Sequence, residues 1–251
     1  MATGLLIALV GSATRCARFF SSLDKIYVAD IRFGSETDTD DRTGLVVRTA
    51  PVPAMDMAMN AAETFVGEIS QIPPAYSAIH VDGRRAYKRA RAGENVEIPA
   101  RKVTIHEITS DIVDEMTLRL TVRCSSGTYI RSLARDIGSA VGSAAHLCAL
   151  RRIRIGPFDV NEVSERGEME VCRVETATAL LRLDRFSELS VDSGTAATMW
   201  NGGRVPAPKS GVEYDGWVVA RVGDVPVSIG RWLDGFYRYE MVFPRPEQAD
   251  D

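Results

Sequence analysis

The sequence has no long apolar run, no paired cysteines and few histidines. Its longest uninterrupted apolar stretch runs from Leu5 to Val10, far short of the roughly 20 residues of a membrane helix. Neither the four cysteines nor the three histidines have the spacing of metal ligands. We therefore expect no membrane span, no metal site and free thiols. No Lys or Arg precedes Arg15, so the positive region of a secretory signal is missing and we expect a cytoplasmic protein.

Charge is unevenly distributed along the chain. The composition, with 45% hydrophobic and 25% charged residues, is that of a globular protein. The net charge is −4, but residues 80–154 hold fourteen Lys and Arg against eight Asp and Glu. Twenty-six of the thirty basic residues are arginine, which suits bidentate contacts to phosphate. The acidic average argues mildly against a nucleic-acid binder, whereas the basic middle favours one because phosphate neutralisation needs several cations. A structural or small-molecule protein with incidental basic patches is the alternative.

The hydrophobic pattern predicts an α+β protein. Residues 116–124 alternate cleanly, with Leu118, Leu120 and Val122 on one face of a strand. The other strands of this part are expected over residues 2–10 (buried), 25–33, 103–112 and 151–155, and the helices over 13–23, 52–66, 84–92 and 130–141.

A second, smaller domain is indicated beyond about Leu183. Short β-rich segments over residues 217–222, 225–232 and 236–243 are separated by Gly-Asp and Asp-Gly turns. We expect a first domain over residues 1–183, a β-rich domain over 184–246 and an acidic tail over 247–251.

The predicted helix over residues 84–92 has a basic face. At 100° per residue its cations fall within an arc of about 160°. This face predicts contact with a nucleic-acid backbone, although a solvated helix surface would have the same pattern. The basic residues that we expect to contact nucleic acid are Arg84, Arg85, Lys88 and Arg89, together with Arg151 and Arg152 of the later basic strand.

Arg131 begins another predicted helix, directly after the strand that ends at Cys124. Exposed N–H groups at a helix start favour anions, and Arg135 follows Arg131 by one turn on the same face. Arg131 could therefore hold a carboxylate or phosphate. The alternative is a surface ion pair with an acidic neighbour on the same helix.

Several sequence blocks resemble one family. CSSGTYIRSLARDIG followed by AHLCALRR resembles the bacterial tRNA pseudouridine-55 synthases, the TruB family. MATGLLIALVGSATR, DKIYVADIRFG, TDTDDRTG and QIPPAYSAIHVDGRRAYKRARAG match further blocks in the same order. The resemblance covers residues 1–155 closely. It implies a mixed, largely antiparallel sheet with flanking helices, followed by a PUA-like RNA-binding domain.

The resemblance implies an isomerase that converts uridine-55 in the tRNA T loop to pseudouridine, without metal or cofactor. Tyr27 matches the family's tyrosine that stacks on the flipped base and is suited to remove the proton at carbon 5. Arg131 matches the arginine that pairs with the nucleophilic aspartate. Tyr129 and Leu150 match residues that line the uracil pocket. The alternative to these functional roles is that Tyr27 is an ordinary aromatic residue of a strand and Leu150 an ordinary core residue. The expected partner is the T arm of tRNA, and we expect a monomer.

One departure concerns the nucleophile. The family's aspartate lies in a Leu-Asp-Pro-x-Ala-Thr-Gly motif, whereas this sequence begins Met1-Ala2-Thr3-Gly4 and has its first acid at Asp24. The motif's aspartate would precede Met1, whether Met1 is internal to a longer protein or the chain is truly truncated. We expect the chain as given to be inactive. The alternative function is a non-catalytic tRNA-binding or tRNA-folding protein.

Overall fold

A computed structural model describes residues 2–77, 80–81, 84–85, 98–162, 174–207 and 216–245. The chain divides into two units, Met1–Ile7 with Phe20–Glu162, and Ala8–Phe19 with Val163–Asp251. The division into domains at residue 183 stays a prediction. Within the described residues, no helix is long and apolar enough to cross a membrane.

The first unit is built on a seven-stranded sheet with the path β1-β10-β2-β9-β8-β5, and β11 also pairs with β10. Only the pairing of β1 with β10 is parallel, which confirms the mixed, largely antiparallel sheet. The strands of the first unit are β1 Ala2–Gly4, β2 Lys25–Phe33, β3 Ser35–Thr37, β4 Val46–Thr49, β5 Gly67–Gln71, β6 His80–Val81, β7 Arg84–Arg85, β8 Arg101–Asp114, β9 Thr117–Cys124, β10 Ala145–Ile155 and β11 Phe158–Asp159. The helices are α1 Ala17–Ser21, α2 Met55–Glu63 and α3 Ile130–Ala140, with a 3-10 turn over Gly11–Cys16 and another over Val160–Glu162.

Helix α3 packs closely on the sheet through its predicted apolar stripe. Ile130, Leu133 and Ile137 are buried in one cluster with the inward residues of β9, as the 3.6-residue period requires. A Cβ at Gly138 would lie 2.7 Å from the Cβ of Ala145, so only glycine allows this approach of α3 to β10. The packing fixes the start of α3, where Arg131 lies, relative to the central strands.

Two predicted elements are wrong in part. In place of the buried strand over residues 2–10 there is a three-residue exposed strand, β1, which is an edge strand because β10 is its one partner among the described strands. The basic helix over residues 84–92 is absent at its start, where β7 pairs with β6 as an antiparallel hairpin. Asp82-Gly83 stands between these two strands in the sequence, and Asp-Gly favours a hairpin turn over a helix. Residues 86–92 lie outside the described residues.

The second unit contains a four-stranded sheet in the order β12-β13-β14-β15. Its elements are α4 Thr176–Leu181, β12 Phe186–Ser190, α5 Ser193–Trp200, β13 Trp217–Val222, β14 Val225–Leu233 and β15 Phe236–Val242. The last three strands lie within one residue of the predicted β-rich segments. The buried Tyr237 hydroxyl donates to Val218 O at 3.1 Å and accepts from Ser228 Oγ at 3.3 Å, so its polar atom is satisfied inside the core.

Candidate functional site

The loop between β3 and β4, residues 38–45, carries two adjacent acids. Backbone hydrogen bonds fasten this loop to β10, since Leu147 N–H donates to Asp40 O (3.0 Å) and Arg42 N–H donates to Leu147 O (2.9 Å). Asp40 has a left-handed φ of 57°, which is uncommon for a residue with a side chain. The carboxylates of Asp40 and Asp41 meet different partners, Arg135 for the first and Arg131 for the second.

Arg131 reaches this loop from the first turn of α3. Its Nη1 donates to Thr39 O at 3.0 Å and to Asp41 Oδ2 at 3.4 Å, and its Nη2 donates to Tyr76 O at 3.0 Å. The side chains of Arg131 and Asp41 are 23% and 20% exposed, so water screens this ion pair only in part. The acid that Arg131 meets therefore belongs to a distant loop and not to the surface of its own helix.

The pKa values of the two loop acids are shifted in opposite directions. Burial opposes ionisation of Asp41, but hydrogen bonds from Thr43 and Thr39 and the charge of Arg131 outweigh it and lower the pKa of Asp41. Burial raises the pKa of Asp40 to about 6, although Arg135 lies 3.0 Å away. At neutral pH Asp41 is therefore a carboxylate held against the guanidinium of Arg131.

A cavity of about 290 Å³ opens beside Arg131. Its described lining consists of Ala2, Asp41, Arg131 and residues 147–150 of β10. The cavity follows the edge of β10 between Leu147, where the loop attaches, and Leu150, where β1 pairs. A hollow of this size with one ion pair and apolar walls suits a small polar ring, because a few fixed polar groups orient such a ligand.

Tyr27 lies two residue pairs along the sheet from Leu150 of the cavity wall. In the antiparallel ladder of β2 and β10, Leu150 is opposite Ala29, and Arg152 is opposite Tyr27. Residues two apart on a strand share a face, so Tyr27 and Arg152 are on the face of Leu150. Burial raises the pKa of Tyr27, and a hydrogen bond with Arg152 opposes that rise. Tyr27 therefore lies on the face of Leu150 with Arg152 as its hydrogen-bond partner, but neither residue belongs to the described lining of the cavity.

Tyr129 precedes α3 and is held through its backbone. Its N–H donates to Gln71 Oε1 at 2.8 Å, and its carbonyl accepts from Gln71 Nε2 at 3.1 Å. Gln71 is 1% exposed, so this reciprocal pair fixes the start of the helix that carries Arg131. Tyr129 is half-buried and does not belong to the described lining of the cavity.

The predicted RNA contacts are only partly described. Arg151 is exposed on β10, and the Nε of Arg152 donates to Leu5 O at 2.8 Å. Arg84 and Arg85 lie in β7, whereas Lys88 and Arg89 lie outside the described residues. Their contact with RNA stays a prediction. No group of three or more His, Cys, Asp or Glu in the described part of the chain could hold a metal ion.

Asp41 and Gln71 belong to the site although no pattern in the sequence marks them. The segment TDTDDRTG predicts a loop because turn-forming residues surround its acids, but it does not indicate which acid meets an arginine. Gln71 ends a short strand with no distinguishing pattern. A search for acids near glycine and threonine in loops would have found Asp41 as one of several candidates.

Two solved structures share this fold. The Cbf5–Nop10–Gar1 complex contains a chain with a TM-score of 0.62 and 20% identity, over 93% of this chain and 70% of that one. The H/ACA RNP bound to a substrate RNA containing 2′-deoxyuridine gives a TM-score of 0.61 at 19% identity, over 94% and 71%. At this identity the likeness establishes the architecture alone.

Sequence comparison identifies the family. Residues 1–130 match the N-terminal domain of the TruB family pseudouridylate synthases, and residues 131–182 match the tRNA pseudouridylate synthase B C-terminal domain. The chain therefore belongs to the TruB family, which confirms the resemblance.

Relatives named tRNA pseudouridine synthase B align over much of the chain. The protein of Psychrobacter cryohalolentis is 42% identical over 76% of this chain, but the alignment spans only 54% of that relative. Those of Aromatoleum aromaticum and Novosphingobium aromaticivorans are 41% and 39% identical, over 83% and 100% of this chain and 70% and 85% of their own lengths.

Proposed function

We propose that this chain forms the substrate-binding part of a tRNA pseudouridine-55 synthase, an isomerase that acts on a uridine of the T loop. Family membership supports this class of reaction. The observation that carries the proposal is the guanidinium of Arg131, which three contacts hold at the wall of a cavity sized for a small ring.

The proposed reaction breaks the bond between C1′ and N1 of uridine, turns the base, and joins C1′ to C5, which then loses its proton. The uridine must leave its stack to reach an enclosed site. A guanidinium has five N–H donors, so the contacts of Arg131 with Thr39, Asp41 and Tyr76 leave capacity for a nucleophilic carboxylate. Asp41 holds the Arg131 side chain, and Leu150 provides an apolar wall against the ring.

We propose Tyr27 as the residue that removes the C5 proton. Because burial raises the pKa of Tyr27, its phenol is protonated at neutral pH and is a poor base by itself. The hydrogen bond from Arg152 favours the phenolate, since a positive donor stabilises a developing negative charge. Proton removal by Tyr27 should therefore depend on Arg152.

The presence of a nucleophilic aspartate distinguishes a synthase from a non-catalytic tRNA binder. We propose that turnover requires the aspartate of the family's Leu-Asp-Pro motif, which would stand two positions before Met1. Ala2 lines the cavity, so residues joined directly before Met1 would begin close to Arg131. A non-catalytic tRNA binder is the second candidate, and this function needs no such aspartate.

Three versions of the chain test this proposal: the chain as given, one preceded by Leu-Asp-Pro and one preceded by Leu-Asn-Pro. Each is assayed for binding to a T-arm RNA and for tritium release from uridine labelled at C5. We expect all three to bind and only the Leu-Asp-Pro version to release tritium.

Arg131→Ala in the Leu-Asp-Pro version should abolish release, whereas the exposed Arg119→Ala loses the same charge and should not. A Leu-Asp-Pro version that binds but never releases tritium would favour the non-catalytic binder. If the versions bind a scrambled RNA as tightly as the T-arm RNA, recognition of the T arm is refuted.

We further propose that residues 184–246 form a PUA-like RNA-binding domain, and that the protein is a cytoplasmic monomer. The second unit supports this with a hollow of about 520 Å³ lined by Arg204, Arg238 and Tyr239 among others. Arg204 lies 3.5 Å above the Phe236 ring, which pairs a cation with an aromatic surface. Arg238→Gln should lower RNA affinity and reduce its dependence on salt.

A further inference from the structure

A β-bulge on β10 directs a cysteine into the cavity. The ladder with β2 is shifted between Leu147 and Ala149, so Cys148 is the extra residue. Bulges re-aim side chains and occur beside active sites. Cys148 lines the cavity together with Arg131 and Asp41 and is half-buried. Its thiol is therefore within reach of a small molecule that enters the proposed uracil pocket.

His146 lies beside this thiol as a proton acceptor. Its Nε2 is 3.6 Å from Cys148 Sγ, and its Nδ1 is 2.8 Å from the carbonyl oxygen of Ser35. A carbonyl oxygen can only accept, so the neutral ring has its proton on Nδ1 and directs the lone pair of Nε2 at the thiol. His146 is 7% exposed, which maintains this orientation. Cys148 of the cavity wall and the adjacent His146, which does not belong to the described lining, thus form a thiol–imidazole pair.

Neighbouring charges shift the pKa of the Cys148 thiol, some upward and some downward. Burial raises the pKa of the Cys148 thiol, Arg32 and Arg42 lower it, and Asp30 and Asp114 raise it. The thiol is therefore mostly protonated at neutral pH, and its reaction as a nucleophile depends on a base.

The other described cysteines are less accessible than Cys148. Cys16 and Cys124 are buried, and burial raises the pKa of each thiol, to about 11 for Cys124. Neither belongs to the described lining of the cavity. A reagent that needs an accessible thiolate should therefore distinguish Cys148 from both.

We propose that Cys148 is a covalent modification site for low-molecular-weight disulfides and that an adduct there closes the cavity to RNA. The Cys148 proton passes to His146 Nε2, and the thiolate attacks one sulfur of the disulfide RS–SR. The bond between the two reagent sulfurs breaks as the Cys148–SR bond forms, and the leaving RS⁻ takes the proton from His146. One disulfide replaces another, so no additional oxidant is consumed. Closure to RNA rests on the proposed function, whereas the modification does not.

Glutathione disulfide tests the modification, with intact mass and peptide mapping as readouts. The chain is used with Cys172→Ala, because residue 172 lies outside the described residues. We expect Cys148 to react about tenfold or more faster than Cys16 or Cys124. His146→Gln should slow the reaction at Cys148 by about tenfold or more, as loss of a general base does, whereas His106→Gln should not.

Cys124 reports on folding in the same samples, since a variant that exposes it has opened its core. If His146→Gln exposes Cys124, His146→Asn replaces it. Absence of an adduct at Cys148, or an unchanged rate in a folded His146 variant, would overturn the proposal.

The effect on RNA is measured with the same protein before and after treatment. The adduct should weaken binding to a T-arm RNA by about tenfold or more, as the loss of one or two buried contacts would. A reducing agent should remove the adduct and restore the binding. With Cys148→Ala, treated and untreated samples should bind equally. An adduct without loss of binding would overturn the closure. An untreated chain that does not bind T-arm RNA would refute the proposed function, while the adduct measurement would still decide the modification site.

Discussion

Replacement of Gln71 should uncouple the start of α3 from the sheet. Gln71 is 1% exposed and makes two hydrogen bonds with the backbone of Tyr129, at 2.8 and 3.1 Å. In Gln71→Ala, the part-buried N–H of Tyr129 loses its partner, while the Tyr129 carbonyl still accepts from the N–H of Leu133 at 3.1 Å. Loss of the partner costs about 1–3 kcal/mol, so the free energy of unfolding should fall by about that amount. For a chain of this size that loss lowers the melting temperature by roughly 2–12 °C.

Thermal and urea unfolding measure this loss, and Glu68→Gln on the same strand is the matched control. Glu68 and Lys102 form an ion pair with side chains 61% and 79% exposed, which contributes little to stability. Gln71→Ala should also weaken T-arm RNA binding, because it loosens the turn of α3 that carries Arg131. A Gln71→Ala protein as stable as Glu68→Gln would refute the reasoning about the helix start.

Three further changes test packing, protonation and chemistry. Gly138→Ala places a Cβ 2.7 Å from that of Ala145, so unfolding experiments should show a loss of about 1–3 kcal/mol, whereas the exposed Ser139→Ala should be neutral. Asp40→Asn removes a carboxyl whose pKa is raised from 3.8 to about 6 on folding. Because the folded state binds more protons between these values, the wild type loses stability as the pH rises from about 4 to 7, and the variant should gain about 1–3 kcal/mol relative to it. Urea unfolding across that pH range would show no such change if Asp40 titrated normally. Tyr27→Phe should leave T-arm RNA affinity intact and abolish tritium release in the Leu-Asp-Pro version, and a full rate would refute its proton role.

The sequence pattern predicted the elements whose side chains meet a core on one face. β2 has the predicted bounds, and β9 buries Leu118 and Leu120 while Arg119 and Arg123 are exposed. The hydrophobic pattern gave wrong predictions where strand pairing, and not the burial of side chains, decides the structure. The apolar residues after Gly4 do not continue β1, and β7 forms because a turn signal outweighs a helical period.

The sequence predicted only those site residues that are marked by their neighbours along the chain. Arg131 follows a strand-to-helix junction that the sequence marks clearly. Its partner Asp41 is 90 positions away, and such a contact has no periodic signature. The bulge at Cys148 was equally hidden, because one extra residue in a ladder changes no composition or period.

The difference between Asp40 and Asp41 shows how a short loop presents two adjacent acids to two different arginines. The left-handed backbone at Asp40 turns the chain between the two side chains, so neighbouring acids reach different arginines on the same helix face. Hydrogen bonds from Thr43 and Thr39 keep Asp41 ionised, while burial favours the protonated form of Asp40. Both arginines reach the loop, Arg135 at Asp40 and Arg131 at Asp41. The threonines of TDTDDRTG stabilise the charge of Asp41, and this charge helps to hold Arg131 at the cavity.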